Sequence, residues 1–246
     1  MRNIPIAALA LLACAPLQAA QHTIVKDDFS SFDARRWVVE AEPASANGPT
    51  VSAAPRASAP SSKPPVYTQA HALVLNGTRG LTVWLRQRLN GHYEISYTRT
   101  VLDHGDPNDR VSDMNQFWLA SASHAGHRKD DHAPPFGGSG RFTDYDSLTL
   151  YYVGVGGNDN TTTRFRHYDG TPSRPLLAEY TAPPWLLRAN HAYRVRIVVD
   201  GRGTRFYLDG KPCFAAAGPL PDAGWFGFRS TASRQTIRDF AIRALP

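Results

Sequence analysis

Apolar and polar residues alternate in short runs along most of the chain, and clusters of Gly, Pro, Asn and Asp separate these runs. A period of two is typical of strands with one buried face. There is no heptad pattern, no internal repeat and almost no convincing amphipathic helix. The pattern therefore predicts an all-β fold, an antiparallel β-sandwich. The clearest predicted strands are 81–89, 92–101, 114–120, 147–155, 162–168, 193–199, 204–208, 225–230 and 236–243.

Two dipeptides predict tight turns between strands. Asn90-Gly91 is expected to join the first two predicted strands, and Asp209-Gly210 ends the strand at 204–208. Both supply the positive backbone angles that hairpin turns need. Residues 41–65 are rich in Pro, Ala and Ser and would suit a linker, but strand-like residues on either side favour keeping them in the domain. We expect one domain over residues 21–246.

Alternation also divides each strand into a core set and an outward set. The predicted core set is Leu81, Val83, Leu85, Phe117, Leu119, Leu148, Leu150, Tyr152, Phe165, Phe226 and Phe228. The predicted outward set is Trp84, Arg86, Arg88, Gln116, Trp118, Thr149, Tyr151, Arg164, Arg166, Tyr168, Trp225 and Arg229. The outward set is thus dominated by Arg, Tyr, Trp and Gln.

This composition favours a groove for an anionic glycan. Aromatic rings stack on the C–H faces of sugars, and the guanidinium fork binds carboxylates or sulfates through two parallel hydrogen bonds. The alternative is that long side chains merely cover the sheet with solvated stems. The functional interpretation requires that these strands lie in the same sheet.

The first twenty residues have the layout of a secretory signal peptide. Arg2 precedes an apolar run at 4–12, and small residues follow at 13–20. The alternative is a lipoprotein signal, because Leu11-Leu12-Ala13-Cys14 resembles the sequence at which Cys14 would be lipidated. No later segment reaches the roughly 20 apolar residues of a membrane span. We expect a periplasmic or secreted protein, or a form anchored to the outer membrane through Cys14.

The charge balance favours anionic partners. The chain has 27 Lys and Arg against 21 Asp and Glu, a net charge of +6. Export and the lack of a Lys/Arg block disfavour nucleic acid. An acidic polysaccharide or oligosaccharide is the expected partner, and the protein is expected to be a monomer. Cys213 is the one cysteine beyond the signal region, so no intrachain disulfide is possible there.

Distinctive motifs lie near both ends of the mature chain: Asp-Asp-Phe at 27–29 with Trp37, and the segments 193–197, 206–211 and 225–230. They resemble motifs of concanavalin-A-like jelly rolls in secreted carbohydrate-active proteins. The central segments 114–118, 151–154 and 158–166 resemble a bacterial family of such jelly rolls that is akin to polysaccharide-lyase-type proteins. The resemblance covers nearly all of the mature chain. It implies the fold and a sugar polymer, and it does not supply a mechanism.

The carboxylates argue against glycoside hydrolysis. Retaining glycosidases of this fold typically place two carboxyl groups about 5 Å apart on one strand, as in Glu-x-Asp-x-x-Glu. No such pattern occurs, and the few glutamates are Glu40, Glu42, Glu94 and Glu179. Glu94 is predicted to face outward on a central strand, where it has no obvious carboxylate partner.

A lyase that cleaves a uronic-acid polymer by β-elimination needs groups that neutralise the carboxylate, a base and an acid. Tyr or His can carry the proton, and nearby guanidinium groups favour the phenolate. We predict Tyr151, Arg164 and His127 as catalytic residues, with Tyr151 the first choice for proton transfer. The predicted substrate-binding residues are Asn115, Gln116, Trp118, Arg166, Tyr168, Trp84, Arg86, Arg88 and Arg229. A non-catalytic glycan-binding module and a glycoside hydrolase remain the alternatives.

Two loops contain residue types that can bind metal ions. His124, His127, Asp131 and His132 match no closed zinc pattern, and a loop that moves over the groove is favoured. A second loop could hold a structural Ca²⁺ ion through Asp103, Asp106, Asn108, Asp109 and Asp113. It lacks the Gly and the terminal Glu of an EF-hand loop, so solvated turn residues are favoured. No cofactor is expected.

Overall fold

The structure of the protein is a computed structural model, and it describes residues 22–43, 63–122 and 135–246. The predicted signal peptide with Cys14, the histidine loop at 124–132 and most of the Pro-rich segment lie outside the described residues. The described helices are short turns at Phe142–Tyr145, Gly157–Asn160 and Pro183–Trp185. None of the described helices is long and apolar enough to cross a membrane.

The described residues contain fourteen strands, and every pair of neighbours is antiparallel. In chain order they are β1 (Thr23–Asp27), β2 (Trp37–Ala41), β3 (Val66–Thr68), β4 (Leu73–Leu85), β5 (Leu89–Asn90), β6 (Tyr93–Val101), β7 (Met114–Ala122), β8 (Leu148–Gly156), β9 (Thr162–Asp169), β10 (Leu176–Tyr180), β11 (Ala192–Asp200), β12 (Gly203–Leu208), β13 (Lys211–Ala216) and β14 (Ala223–Ala244). The predicted antiparallel β-sandwich is confirmed.

The long strands β4 and β14 pass through both sheets of the sandwich. Their parts at 81–85 and 223–231 belong to the front sheet, which has the order β10-β9-β8-β7-β14-β4-β2. The other part of β14 pairs with β6, which begins the back sheet β14-β6-β11-β12-β13. β14 changes sheet at an irregularity between Thr231 and Ser233, where Ala232 has a positive φ of 44°. Such bends are how strands turn the corner of a sandwich.

The space between the sheets holds the main core. Leu81, Val83 and Leu85 of β4 lie there with Phe226 and Phe228 of β14, as alternation predicts. The opposite set on these strands, Trp84, Trp225 and Arg229, lies on the other face of the front sheet, which we call the outer face. On β9 the predicted inward position of Phe165 and the outer position of Tyr168 are also confirmed.

On β7 the predicted faces of Gln116, Phe117 and Trp118 are wrong, whereas Leu119 lies in the main core as predicted. Trp118 points into the core and donates a hydrogen bond from Nε1 to Thr204 Oγ1 of the back sheet, 2.8 Å away. Gln116 also points inward, and its Oε1 accepts a 2.9 Å hydrogen bond from Tyr97 OH. Phe117 instead lies on the outer face. Every residue of β7 except the last is buried, so both faces of the strand are covered. The alternation of apolar residues therefore does not show which face points between the sheets.

On β8 the faces are reversed for the same reason. Tyr151 lies in the core between the sheets, whereas Leu148, Leu150 and Tyr152 form a second apolar cluster on the outer face. The strand is buried at every position but one. The prediction that Tyr151 faces outward is therefore wrong.

One predicted hairpin is confirmed and the other is wrong. Asp209 and Gly210 have φ values of 50° and 78° and join β12 to β13, with Leu208 opposite Lys211. Asn90 belongs to β5, which pairs with β14. β14 also separates β4 from β6, so the dipeptide at 90–91 lies where the chain passes between sheets.

Replacing Trp118 with alanine tests its inward position. The indole stacks near Phe165, with ring centres 6.0 Å apart, and its side chain is fully buried. We expect Trp118→Ala to lower the free energy of unfolding by about 3–5 kcal/mol, measured by urea denaturation. Arg86→Ala, at an exposed position, is the control, with an expected change within about 0.5 kcal/mol. A loss at Trp118 as small as the control's would contradict the inward position.

Candidate functional site

A row of directly opposed residues crosses six strands of the front sheet. Register places Glu40 of β2 opposite Thr82 of β4, then Arg229 of β14, Asn115 of β7, Gly154 of β8 and Arg164 of β9. Directly opposed residues in antiparallel strands point to the same face and lie within contact distance. We call these six residues the polar row, and it lies on the outer face.

Arg229 is a buried cation near the middle of the row. Its side chain is 1% exposed, and Nη1 donates to Thr82 Oγ1 at 3.0 Å and to the Gly140 carbonyl at 2.9 Å. Its Nε has no hydrogen-bond partner among the described residues. Within the same part of the chain, no Asp or Glu forms an ion pair with it. Its positive charge therefore has no direct counter-charge there.

Asn115 presents an unpaired acceptor beside this cation. Its amide nitrogen donates to Asp113 Oδ1 at 3.5 Å, while its Oδ1 is buried with no partner in the described residues. The next position in the row is Gly154. A methyl group there would lie 2.7 Å from Asn115 Oδ1 and 2.1 Å from Tyr152 Oη. The missing side chain is what lets the Tyr152 hydroxyl lie close to Asn115.

Two tyrosines flank the polar row. The rings of Tyr152 and Tyr168 are 6.0 Å apart, and the Tyr168 hydroxyl has no partner among the described residues. Burial raises the pKa of both phenols, although the charges of Arg229 and Arg166 act in the opposite direction. Both hydroxyls are therefore protonated at neutral pH and can donate a proton or a hydrogen bond.

A segment without strands lies over the outer face, and the buried carboxylate of Glu40 anchors it. We call residues 135–147 the cover segment. Glu40 accepts hydrogen bonds from the backbone N–H groups of Gly137 and Gly138 at 2.8 and 3.0 Å, and from Tyr145 OH at 2.9 Å. It also accepts one from Trp84 Nε1 at 3.0 Å. Four hydrogen-bond donors therefore surround a carboxylate that is only 4% exposed.

Phe142 of the cover segment lies over the middle of the site. Its ring centre is 4.9 Å from the Arg229 guanidinium and 4.5 Å from that of Arg174. The rings of Tyr152 and Tyr168 meet it edge-on, with centres at 6.0 and 6.5 Å. Phe142 therefore occupies a place enclosed by two cations and two phenols.

The structure brings together several residues that the sequence singled out. The outer face carries Arg229, Asn115, Tyr168 and Trp84. Arg164 and Arg166 belong to the same face, on β9. Arg164 pairs with Glu179, and the indole of Trp84 stacks on Phe117 with ring centres 5.4 Å apart. Alternation could not reveal Glu40, Phe142 or Tyr145 as parts of this face, because Phe142 and Tyr145 lie in the cover segment and three of the four groups that donate to Glu40 also belong to it.

Other predicted residues lie elsewhere. Gln116, Trp118 and Tyr151 point into the core. Tyr151 stacks on His167 at 4.5 Å, and burial raises its pKa without an opposing guanidinium charge. The phenolate-stabilising setting that we expected for Tyr151 is therefore wrong. His127 lies outside the described residues, and its catalytic role stays a prediction.

Arg86 and Arg88 follow the end of β4 and are exposed. Arg86 donates from Nε to the Ala34 carbonyl at 3.1 Å, and Arg88 lies over Trp225, 5.6 Å from its ring centre. They lie outside the polar row, next to Trp225 at the edge of the apolar cluster on the outer face.

The acidic loop at 103–113 is organised by arginines. Asp109 pairs with Arg234 at 2.6 Å and accepts backbone hydrogen bonds from His104 and Asp106. Asp113 pairs with Arg110 at 2.8 Å. No group of three or more His, Cys, Asp or Glu residues in the described ranges is placed to hold a metal ion. A structural Ca²⁺ ion in this loop stays a prediction.

Comparison of the sequence with protein families gives one match. Residues 75–240 match a domain of unknown function, DUF6250. The chain belongs to this family. No curated protein sequence matches the chain significantly.

Solved structures share the fold across nearly the whole chain. A Bacillus subtilis protein of unknown function with a galectin-like fold matches with a TM-score of 0.65 and 15% identity, over 92% of this chain and 98% of that one. The endo-β-1,3-glucanase of Pyrococcus furiosus gives 0.56 and 10%, over 91% and 94%. An immunostimulatory antigen and pseudo β-1,3-glucanase of Mycobacterium tuberculosis gives 0.57 and 13%, over 91% and 99%. These similarities confirm the concanavalin-A-like jelly roll, and at such identities they show the fold alone.

Removing the Glu40 carboxylate should release the cover segment. Glu40→Ala leaves two backbone N–H groups, an indole N–H and a phenol without their acceptor, so we expect unfolding free energy to fall by about 3 kcal/mol or more. Amide hydrogen exchange at Gly137 and Gly138 should accelerate strongly. Glu179→Ala, which removes the partner of Arg164, is the matched control and should leave exchange in the cover segment unchanged. Unaltered exchange in Glu40→Ala would contradict the anchoring role.

Proposed function

We propose that this protein binds an acidic, uronic-acid-containing polysaccharide on the outer face of the front sheet and cleaves it by β-elimination. The observation that carries the proposal is the buried guanidinium of Arg229, whose Nε is unpaired and whose charge has no direct carboxylate partner among the described residues. Similarity to glucanases in fold is consistent with a sugar polymer as ligand, but the proposal rests on the residues of this face.

The charge of Arg229 favours an anionic ligand. A buried cation without a counter-charge is costly, because its desolvation is not offset by an ion pair. The carboxylate of a uronate would accept a charge-assisted hydrogen bond from Arg229 Nε. Asn115 Oδ1, beside it, is an acceptor that a sugar hydroxyl can satisfy. A ligand that carries both groups would satisfy both unpaired atoms.

The same face contains proton donors for the elimination. In that reaction a base removes the proton from C5 of the uronate, the C–H electron pair forms the C4=C5 double bond, and the glycosidic oxygen leaves from C4 with a proton. Arg229 would stabilise the negative charge that develops on the carboxylate. Tyr152 and Tyr168 are protonated at neutral pH and suit the acid that protonates the leaving oxygen. For the base, His127 stays the prediction from the sequence.

Access to Arg229 requires displacement of Phe142. The Arg229, Asn115 and Tyr168 side chains are at most 1% exposed, and Phe142 lies against Arg229 and Tyr168. The contacts of Phe142 with the two guanidinium groups are cation–π contacts, each worth about 0.5–2 kcal/mol. A sugar carboxylate can replace these with stronger charged hydrogen bonds, so exchange of Phe142 for a sugar ring is energetically feasible.

A panel of polysaccharides tests the proposed function directly. Purified protein is incubated with polygalacturonate, alginate, hyaluronan and the neutral β-1,3-glucan laminarin while the ultraviolet absorbance of unsaturated uronides is followed. We expect an increase with one acidic polymer and none with laminarin. Arg229→Gln should reduce kcat/KM by about 100-fold or more, since it removes a buried charged hydrogen bond in the transition state. Arg202→Gln, on the exposed turn between β11 and β12 of the back sheet, is the matched control and should retain activity.

The other outcomes distinguish the alternatives. New reducing ends without ultraviolet absorbance would mean hydrolysis, and retention of an acidic polymer without any product would mean a binding module. Retention of laminarin alone would contradict the anionic ligand. Equal activity of Arg229→Gln and wild type would remove Arg229 from the mechanism.

One observation bears on hydrolysis as a second candidate. Two carboxylates of the outer face, Glu40 and Asp144, approach each other around Gly138, where an added methyl group would lie 3.1 Å from Glu40 Oε2 and 3.3 Å from Asp144 Oδ2. Both accept hydrogen bonds from the cover segment, Asp144 from Ser139 N and Oγ. Because loop amides already occupy these oxygens, we favour a structural role for this pair over the acid and nucleophile of a glycosidase.

Truncation of Phe142 should strengthen glycan binding. Phe142→Ala vacates the place between Arg174, Arg229 and the two tyrosines, so the ligand no longer competes with the phenyl ring. We expect about a tenfold lower dissociation constant for the acidic polymer, measured by affinity electrophoresis. Phe136→Ala is the matched control, because Phe136 belongs to the same segment but packs on Trp84 and Trp225. Equal affinities in both variants and wild type would contradict a blocking role for Phe142.

The proposal also includes a monomer that meets its polymer outside the cytoplasm. The location rests on the signal-peptide layout of residues 1–20, with anchoring through Cys14 as the alternative.

A further inference from the structure

A second buried arginine reaches the polar row from the opposite sheet. Arg99 lies on β6 of the back sheet and is fully buried. Its Nη1 donates to the Asn115 carbonyl at 2.7 Å, and its Nη2 donates to the Arg229 carbonyl at 2.9 Å. Its Nε donates to Gln235 Oε1 at 2.8 Å. All three nitrogens of the guanidinium group are thus engaged.

The two carbonyls belong to directly opposed residues. Asn115 and Arg229 face each other across β7 and β14, and their side chains present the unpaired Oδ1 and Nε atoms of the site. One guanidinium plane that bridges both carbonyls fixes the relative position of the two strands at this point. The spacing of the two unpaired atoms therefore depends on a residue that does not touch the outer face.

Gln235 holds this arginine in place. Its amide nitrogen donates to the carbonyls of Ser112 and Asp113, both at 3.1 Å, and to Ser233 Oγ at 3.0 Å. Its oxygen therefore points to Arg99 without an alternative orientation of the amide. The network joins the back sheet to the residues that lead into β7, including Asp113, which orients the Asn115 amide.

A buried arginine at this place is not explained by stability alone. No Asp or Glu of the described ranges pairs with Arg99, and burial lowers its pKa to about 10, which still leaves it charged at neutral pH. An apolar side chain of similar volume would avoid the desolvation of this charge. What it would lack is a rigid fork that can hold two carbonyls at once.

We infer that Arg99 is a positioning residue, which sets the geometry of Asn115 and Arg229 and adds a second positive charge behind the anion site. This inference deepens the proposed function, because the pair that Arg99 positions is the proposed uronate-binding pair. The expected effect of Arg99 on ligand binding rests on that function. Its expected effect on the positions of Asn115 and Arg229 does not.

Two substitutions separate charge from geometry. Arg99→Lys keeps the charge and loses the fork, and Arg99→Met loses both. Ile197→Ala is the matched control. Ile197 is buried on β11 of the same sheet, and this strand pairs with β6 and β12 but not with β7 or β14. Thermal unfolding of all three variants shows which of them are folded at the temperature of measurement. Arg99→Lys decides the outcome if Arg99→Met does not fold.

The first readout needs no ligand. The side-chain N–H resonance of Arg229 Nε is assigned in a ¹⁵N spectrum by its loss in Arg229→Gln. We expect both Arg99 variants to shift this resonance, and Ile197→Ala to leave it in place. An unshifted resonance in the folded Arg99 variants would overturn the inference, whatever the protein binds.

The second readout is affinity electrophoresis in polygalacturonate, alginate and hyaluronan, each run separately. We expect about tenfold weaker retention for Arg99→Lys, still weaker retention for Arg99→Met and wild-type retention for Ile197→Ala. A shifted resonance with wild-type retention would overturn the role of Arg99 in binding. A shifted resonance with no retention of wild type by any acidic polymer would support the positioning role and contradict the proposed function.

Discussion

The arrangement of the outer face depends on the hydrogen bonds that the buried carboxylate of Glu40 accepts. It lies at one end of the polar row and accepts hydrogen bonds from Trp84, Tyr145 and two glycine amides of the cover segment. Its influence extends along the row, because Thr82 Oγ1 is hydrogen-bonded both to the Tyr145 hydroxyl, whose one proton goes to Glu40, and to Arg229 Nη1, which donates to it. The position of the cover segment and the position of Arg229 are therefore coupled through the Thr82 hydroxyl and, directly, through the hydrogen bond from Arg229 Nη1 to the Gly140 carbonyl.

This coupling explains an unusual distribution of satisfied and unsatisfied groups. Both carboxylate oxygens of Glu40 accept hydrogen bonds, whereas Arg229 Nε, two strands away, and Asn115 Oδ1, three strands away, have no partners in the described residues, nor does the nearby Tyr168 OH. Each unpaired buried group costs about 1–3 kcal/mol relative to a paired one. Three of the five unpaired buried side-chain atoms of the described residues lie at this site, and the other two are Tyr93 OH and Ser230 Oγ. Several unpaired groups beside a satisfied network are a pattern expected of a binding site.

Sequence patterns predicted the fold and half of the site, and the failures have one physical cause. Alternation gives the correct faces where one side of a strand carries charged residues, as at Arg229 on β14 and Arg164 on β9. It fails on β7 and β8, because the cover segment makes the outer face as apolar as the core. No periodic signal could reveal Glu40 as an anchor or Phe142 as the group over Arg229, since both roles depend on a loop whose course is set by tertiary contacts.

Reversal of the faces on β8 changes the chemistry that this strand can perform. Tyr151 and Tyr152 are neighbours in sequence, yet guanidinium charges oppose the effect of burial on the pKa of Tyr152 and not on that of Tyr151. Tyr152 also lies beside Asn115 because Gly154, two residues on, has no side chain to occupy that space. The position and the charge environment of the Tyr152 phenol, which the proposed function would use, therefore depend on Gly154 of the same strand and on Arg229, whose carbonyl Arg99 of the opposite sheet binds.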